Sequence, residues 1–203
     1  MSGEQPPRGS FGDRGVGAAE PGEATTSTER LWLCRPEPGD LADLHAICSD
    51  PRVWEHFPSR RHTDLQQTES MLHRWQDGWA ADDLGVWTVR QRHSDAIIGY
   101  GGCSVRQHAF WNLGYRFAFS AQGNGFATEV AKAGVDAARA VRPELPVVAY
   151  LLQHNAASAR VAEKVGLRLV HQGPDEGNPD PTAIRCIYAD RELTERERAA
   201  ALR

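Results

Sequence analysis

Large apolar residues are nearly absent from the first stretch of this chain and then arrive in short, regular groups. Residues 1–28 are rich in Gly, Pro, Glu, Ser and Thr. A segment of that kind cannot bury enough surface to offset the entropy of ordering it, so it reads as a disordered N-terminal tail. The pattern changes at residue 29. Leu31-Trp32-Leu33-Cys34 is an apolar run that predicts a first strand, closed by Pro36 and Pro38. Leu41, Leu44 and Cys48 recur at helical spacing and predict a helix to about Ser49, which Asp50-Pro51 ends. Leu65, Met71, Leu72, Trp75 and Trp79 mark a second helix, with Thr63 as its N-cap. Residues 86–90 and 96–103 pair as an antiparallel hairpin, and a further strand covers about 111–119. A helix over 126–141, a strand over 147–152 and a helix over 156–165 follow. Gly166 stands where a left-handed C-terminal cap is expected. Strands near 167–172 and 183–189 complete the pattern.

The order β-αα-βββ-α-β-α-ββ predicts an α+β fold. It is a mixed central sheet of about seven strands flanked by about four helices, spanning residues 29–196, with 197–203 as a C-terminal tail. The aromatic residues Trp54, Phe57, Trp75, Trp79 and Trp87 are core by default, although Trp54 and Phe57 fall in the loop after the first helix.

Composition narrows the partners. Of 203 residues 40% are hydrophobic and 25% charged, and the formal net charge is −4. A nucleic-acid binder needs a basic face, so that class is disfavoured. Cys34, Cys48, Cys103 and Cys186 are scattered without metal-ligand spacing, which suits reduced core cysteines in a cytoplasmic protein and no metal site. Neither a membrane-spanning run nor a secretory signal is visible in the pattern.

The chemistry concentrates after the strand that ends near Phe119. Ser120-Ala121-Gln122-Gly123-Asn124-Gly125-Phe126-Ala127-Thr128 is a glycine turn that opens a helix. The first N–H groups of a helix lack intrahelical partners and lie at the positive end of its dipole. An anion placed there gains several hydrogen bonds at once, and glycines let it approach the backbone. Gln122 and Thr128 can add side-chain donors. Taken alone, the turn is equally an ordinary strand-to-helix bend. It lacks the Lys of a Walker loop and the spacing of the dinucleotide fingerprint.

A second constellation, Asn155 through Gly166, opens the next helix. Asn155 stands at the N-cap, and Ser158 lies one turn on. Asn155 alone could be only a cap, and Ser158 only a packing residue.

Together the run Gln-Gly-Asn-Gly-Phe-Ala-Thr-Glu at 122–129 and the run Asn-x-x-Ser-x-x-Val-x-Glu-Lys-x-Gly at 155–166 resemble the GNAT N-acetyltransferase superfamily, in particular its RimJ/RimL-like branch. Asp50-Pro51 and the Ile97-Ile98-Gly99 strand belong to the same resemblance. It implies acetyl-CoA as donor, bound in an opening between two splayed strands. The backbone of Phe117 and Phe119 would lie along the pantetheine arm. Residues Gln122, Gly123, Asn124, Gly125, Phe126, Ala127 and Thr128 would take the pyrophosphate, with Asn155 against the pantetheine or acyl region and Ser158 near the sulfur, both as catalytic residues. The acceptor would be a protein N-terminus or a small-molecule amine, and a homodimer is one state open to such a protein.

The resemblance also implies a glutamate on the strand before the glycine turn, and here that position is Asn112, which cannot accept a proton. Glu55, His56, His108 and His154 are candidate substitutes for that base, and a water chain is another. Two other readings stay open: a CoA-binding module without turnover and a nucleotide-phosphate binder.

Overall fold

The computed structural model describes residues 24–203 apart from Gly177. The described residues form one eight-stranded sheet and five α-helices. The strands are β1 (Ala24–Ser27), β2 (Leu31–Cys34), β3 (Val86–Gln91), β4 (Ile97–Arg106), β5 (Phe110–Phe117), β6 (Val147–Leu152), β7 (Arg168–Pro174) and β8 (Ile184–Ala189). The helices are α1 (Leu41–Ser49), α2 (Leu65–Asp82), α3 (Phe126–Val141), α4 (Ala156–Lys164) and α5 (Glu195–Leu202). The sheet order is β1-β2-β3-β4-β5-β6-β8-β7. Every pairing is antiparallel except β5 with β6, which makes the sheet mixed.

The sequence expectation misses one strand and one helix, both at the chain's ends. β1 lies inside the segment read as a tail, paired with β2 through backbone bonds that its short polar sequence does not advertise. The rest of that segment, residues 1–23, is outside the described residues. The C-terminal tail is helix α5. Thr194 caps it, with Glu197 returning the bond to the cap, and Ala200 and Ala201 bury against β6 and β8. The α2 cap also shifts by one residue, because Asp64, and not Thr63, accepts from the Gln66 amide. Among the described residues no helix is long and apolar enough to cross a membrane.

Helices cover both faces of the sheet. One face carries α3 and α4 over a core of Leu31, Leu33, Trp87, Trp111, Leu113, Phe117 and Val130. The other is covered in two pieces. α1, α2 and the turn Pro51–Trp54 pack Leu44, Ile47, Trp54 and Leu72 with Ile97 and Tyr100, while α5 covers Phe110, Val148 and Ile187.

β5 and β6 are registered only at Trp111–Val147 and Asn112–Val148. Beyond these pairs the two strands part. From Leu113 onward β5 pairs with β4 alone, and from Ala149 onward β6 pairs with β8 alone. Successive backbone groups of a strand alternate sides, so half of the N–H and C=O groups of each strand face the gap.

Candidate functional site

Two helix entrances flank that gap. β5 ends at Phe117, and Phe119–Ala121 makes a single 3-10 turn. Phe119 therefore lies just past the strand, exposed, with its carbonyl accepting from the Gln122 amide. Gly123 and Gly125 both adopt left-handed backbone, at φ 79° and 80°, a conformation that costs most side chains about 1–2 kcal/mol. Gly125 is the N-cap of α3, and having no side chain it leaves the first turn unfilled. Among the described residues the backbone N–H groups from Gly123 through Ala127 have no acceptor. Thr128 and Glu129 are the first to bond inward, both to Gly125 O. The result is a run of unpaired amides around a glycine bend at a helix N-terminus, an anion cradle.

The side chains of the turn brace it. Gln122 Nε2 donates to Phe117 O at 3.2 Å, and Asn124 Nδ2 donates to Ala121 O and Gln122 O. The expected side-chain donor of Gln122 is thus turned onto its own chain, which fixes the loop between β5 and α3. Thr128 is half-buried in the first turn.

Sequence reasoning missed Arg30. Its guanidinium lies 4.7 Å from the centre of the Phe126 ring, donates to Asn124 O at 2.9 Å and pairs with Glu129 at 2.6 Å. Glu129 also accepts from the Arg30 amide and the Thr28 hydroxyl. Burial would raise the Glu129 carboxyl, but the bonds from Thr28 and Arg30 outweigh it and hold it low. The hint was the acid four residues after Gly125, but its partner lies 99 residues earlier and nothing local points to it.

At the second entrance Asn155 caps α4, accepting from Ser158 N at 3.1 Å. The cap reading is therefore correct for Asn155 Oδ1. Ser158 is half-buried, and Tyr115 of β5 reaches across the gap to Ser158 O with a long bond of 3.4 Å. Tyr115 is a second residue that sequence reasoning missed. It ties the capped end of α4 to the splayed strand.

Of the four proposed bases, two come together and two do not. His154 Nε2 lies 3.0 Å from His56 O, linking the loop after β6 to the loop after α1. Burial first, then the charges of Arg116 and His154, push the His56 imidazole down to about 4. Glu55 is exposed on the same loop. His108 sits in the β4–β5 turn, and since β5 spans roughly 20 Å or more, it lies far from the glycine turn. Asn112 is half-buried on β5, level with Val148 where the gap begins.

All four cysteines are free and buried, and burial pushes every thiol up, Cys48 to about 11. None is primed as a nucleophile. Among the described residues no group of three or more His, Cys, Asp or Glu could hold a metal ion.

Comparison with known proteins agrees with this architecture. A family described as an acetyltransferase (GNAT) domain matches residues 30–168. The Bacillus subtilis protein YkkB, itself uncharacterised, is 28% identical over 144 residues, covering 69% of this chain and 83% of its own. A structure from Bordetella pertussis assigned to the GnaT acetyltransferases aligns with a TM-score of 0.69 at 21% identity, covering 82% of this chain and 98% of that one. RimL, the ribosomal L7/L12 α-N-protein acetyltransferase, in complex with coenzyme A, aligns at 0.67 with 17% identity, covering 83% and 97%.

Proposed function

The chain belongs to the GNAT acetyltransferase family, and from that premise we propose that it transfers an acetyl group from acetyl-CoA to a primary amine within a ternary complex. The observation that carries the proposal is the row of unpaired amides from Gly123 to Ala127 beside the β5–β6 gap. A pyrophosphate is the anion that fills such a row, and the gap leaves an extended arm a strand edge to lie along. RimL is bound to coenzyme A in its structure, and the acetyltransferase MccE to acetyl-CoA and AMP.

In this reading the amine nitrogen attacks the thioester carbonyl. A C–N bond forms, the C–S bond breaks, and the sulfur leaves as a thiolate that takes up one proton while the nitrogen gives up one. A β5 backbone N–H facing the gap near Phe117 stabilises the oxyanion, a contribution worth about 3 kcal/mol for preorganised donors. Ser158 hydrogen-bonds the departing sulfur, since its hydroxyl has no partner among the described residues. Direct attack suits a protein whose thiols are all raised by burial. Asn112 has no basic group and burial pushes the His56 imidazole down; in this reading the acceptor attacks as the free amine, its proton lost to water. We assign the protein to the cytoplasm, where four buried free thiols stay reduced.

The test is release of free thiol from acetyl-CoA across a panel of peptide N-termini, amino acids, polyamines and aminoglycosides. Amine-dependent thiol release is expected. Saturable acetyl-CoA binding with no release for any amine supports the second reading, a binding module, which Asn112 favours. Ser158→Ala should lower kcat by about tenfold with little change in donor KM, the signature of a lost transition-state contact. Unchanged turnover in that variant removes Ser158 from the mechanism.

A further inference from the structure

The amide row and Ser158 belong to α3 and α4, so the proposed reaction places its donor on the face of the sheet that those helices cover. The β5–β6 gap opens on the opposite face as well, and there the strands present a different set of residues. Side chains alternate along a strand, so β5 shows Asn112, Gly114 and Arg116 on that face, and β6 shows Val148, Tyr150 and Leu152. Register sets Asn112 beside Val148, which puts Gly114 level with Tyr150 and Arg116 level with Leu152 across the gap.

The strip between the two helix layers on that face is open. Tyr150 is 43% exposed although β6 is an interior strand of the sheet. A Cβ placed on Gly114 would meet only Asn112 Nδ2, at 3.9 Å. The strip therefore presents a glycine and a tyrosine to solvent, with the Arg185 guanidinium 5.3 Å from the centre of the Tyr150 ring.

Arg116 stands at the inner end of the strip. The Arg116 guanidinium is half-buried, lies 3.4 Å from the centre of the Trp54 ring and donates to Val53 O at 2.9 Å. The Tyr100 hydroxyl is close as well. Among the described residues no carboxylate lies within ion-pair distance of Arg116; the half-buried Arg92 lacks one as well, but it spends donors on Thr28 O and Ser27 Oγ. The nearest titratable neighbours add no negative charge. His56, on the loop that carries Trp54, is pushed down by burial, Arg116 and His154. A guanidinium has five donors in a fixed fork suited to an oxyanion. Arg116 uses one of these on Val53 O, which leaves others for an oxyanion that a ligand brings.

We infer that the acceptor is an amine that also carries an oxyanion, a carboxylate first of all, and that Arg116 holds this oxyanion on the face of the sheet opposite the donor. Arg116 is a specificity-determining residue, and stacking on the Trp54 ring holds its guanidinium in place.

This inference rests on the acetyl-transfer reading, and its test separates the two. Thiol release at saturating acetyl-CoA is measured for an amino acid, its primary amide, its aminophosphonate analogue, a dipeptide with an acidic side chain and a polyamine. The acid should exceed its amide in kcat/KM by about tenfold or more, with the polyamine lowest. The dipeptide shows whether the carboxylate can belong to a side chain, and the phosphonate whether a tetrahedral oxyanion serves. In Arg116→Gln the acid-to-amide ratio should fall towards one, with donor KM unchanged within about twofold, and Arg116→Lys should keep part of the preference. Equal efficiencies for acid and amide in the wild-type protein overturn the inference, as does a ratio that Arg116→Gln leaves unchanged. The wild-type ratio decides the matter if a variant misfolds. If no amine releases thiol, calorimetric titration of the CoA complex with the N-acetylated acid and its amide still reads the site. Acid-selective binding lost in Arg116→Gln keeps the oxyanion site while acetyl transfer fails, and no selectivity removes both.

Discussion

Gly125→Val should raise the KM for acetyl-CoA by about 100-fold, because it removes an approach path and distorts at least two amides that would each give about 1.5–3 kcal/mol to a charged ligand. Gly125 is the N-cap of α3 at φ 80°, and a Cβ there would stand 3.6 Å from Arg30 Nη2. The branched side chain would occupy the mouth of the amide row and push against the guanidinium that closes it. A β-branched residue in left-handed backbone also costs about 1–2 kcal/mol, so the melting temperature should fall by about 5 °C. Loss of stability alone could mimic a weak binder, and Gly166→Val supplies the control. Gly166 ends α4 at φ 86°, and a Cβ there would meet nothing within 4 Å. It carries the same backbone strain away from the amide row. The two variants should therefore melt alike while only Gly125→Val loses the donor. Calorimetry showing equal acetyl-CoA affinity in both variants moves the donor off this turn.

The glycine turn was legible because its signal is local. The residues that bend the chain and open the helix with its unpaired amides are neighbours in sequence. The same holds for the α4 cap, where Asn155 and Ser158 are three residues apart. What could not be read is contact across the sheet. Arg30 is recruited to the turn by Glu129 from another strand, and Tyr115 reaches Ser158 from a strand whose alternation only says that it faces the α3 side. β1 was invisible for a related reason: an edge strand of Ala, Thr and Ser gains its order from β2, not from apolar periodicity. α5 hides its apolar face in alanines within a run of Glu and Arg, which reads as a solvated tail until β6 and β8 are in place to receive Ala200 and Ala201. His108 was misplaced among the bases because a hairpin tip and a strand end are both loops in sequence, although the length of β5 separates them.

The glycines of β4 are the clearest case of a feature that sequence displays without explaining, and they carry the largest expected effect on stability. Gly99, Gly101 and Gly102 lie within ten residues of strand, where glycine normally weakens pairing. At Gly101 a Cβ would come within 2.8 Å of both Tyr115 Cβ and Val130 Cγ1 and 3.2 Å of Gly114 O. α3 can therefore dock on β4 only where β4 has no side chain, and Gly134 of α3 makes the matching approach, its added Cβ lying 3.2 Å from Gly102 Cα. Val130 is fully buried in that seam, one turn along α3 from the amide row. Gly101→Val must lift α3 or compress the seam, at about 3 kcal/mol or more, which should lower the melting temperature by about 10 °C. Because α3 carries the amide row, donor affinity should fall with it. Gly114→Ala is the matched control on the adjacent strand, since its Cβ meets only Asn112 Nδ2, and its melting temperature should stay within about 2 °C of the wild-type value. A Gly101→Val protein that melts with the wild type would mean that α3 does not rest on β4 as described, and the position of the turn relative to the β5–β6 gap would then have no structural support.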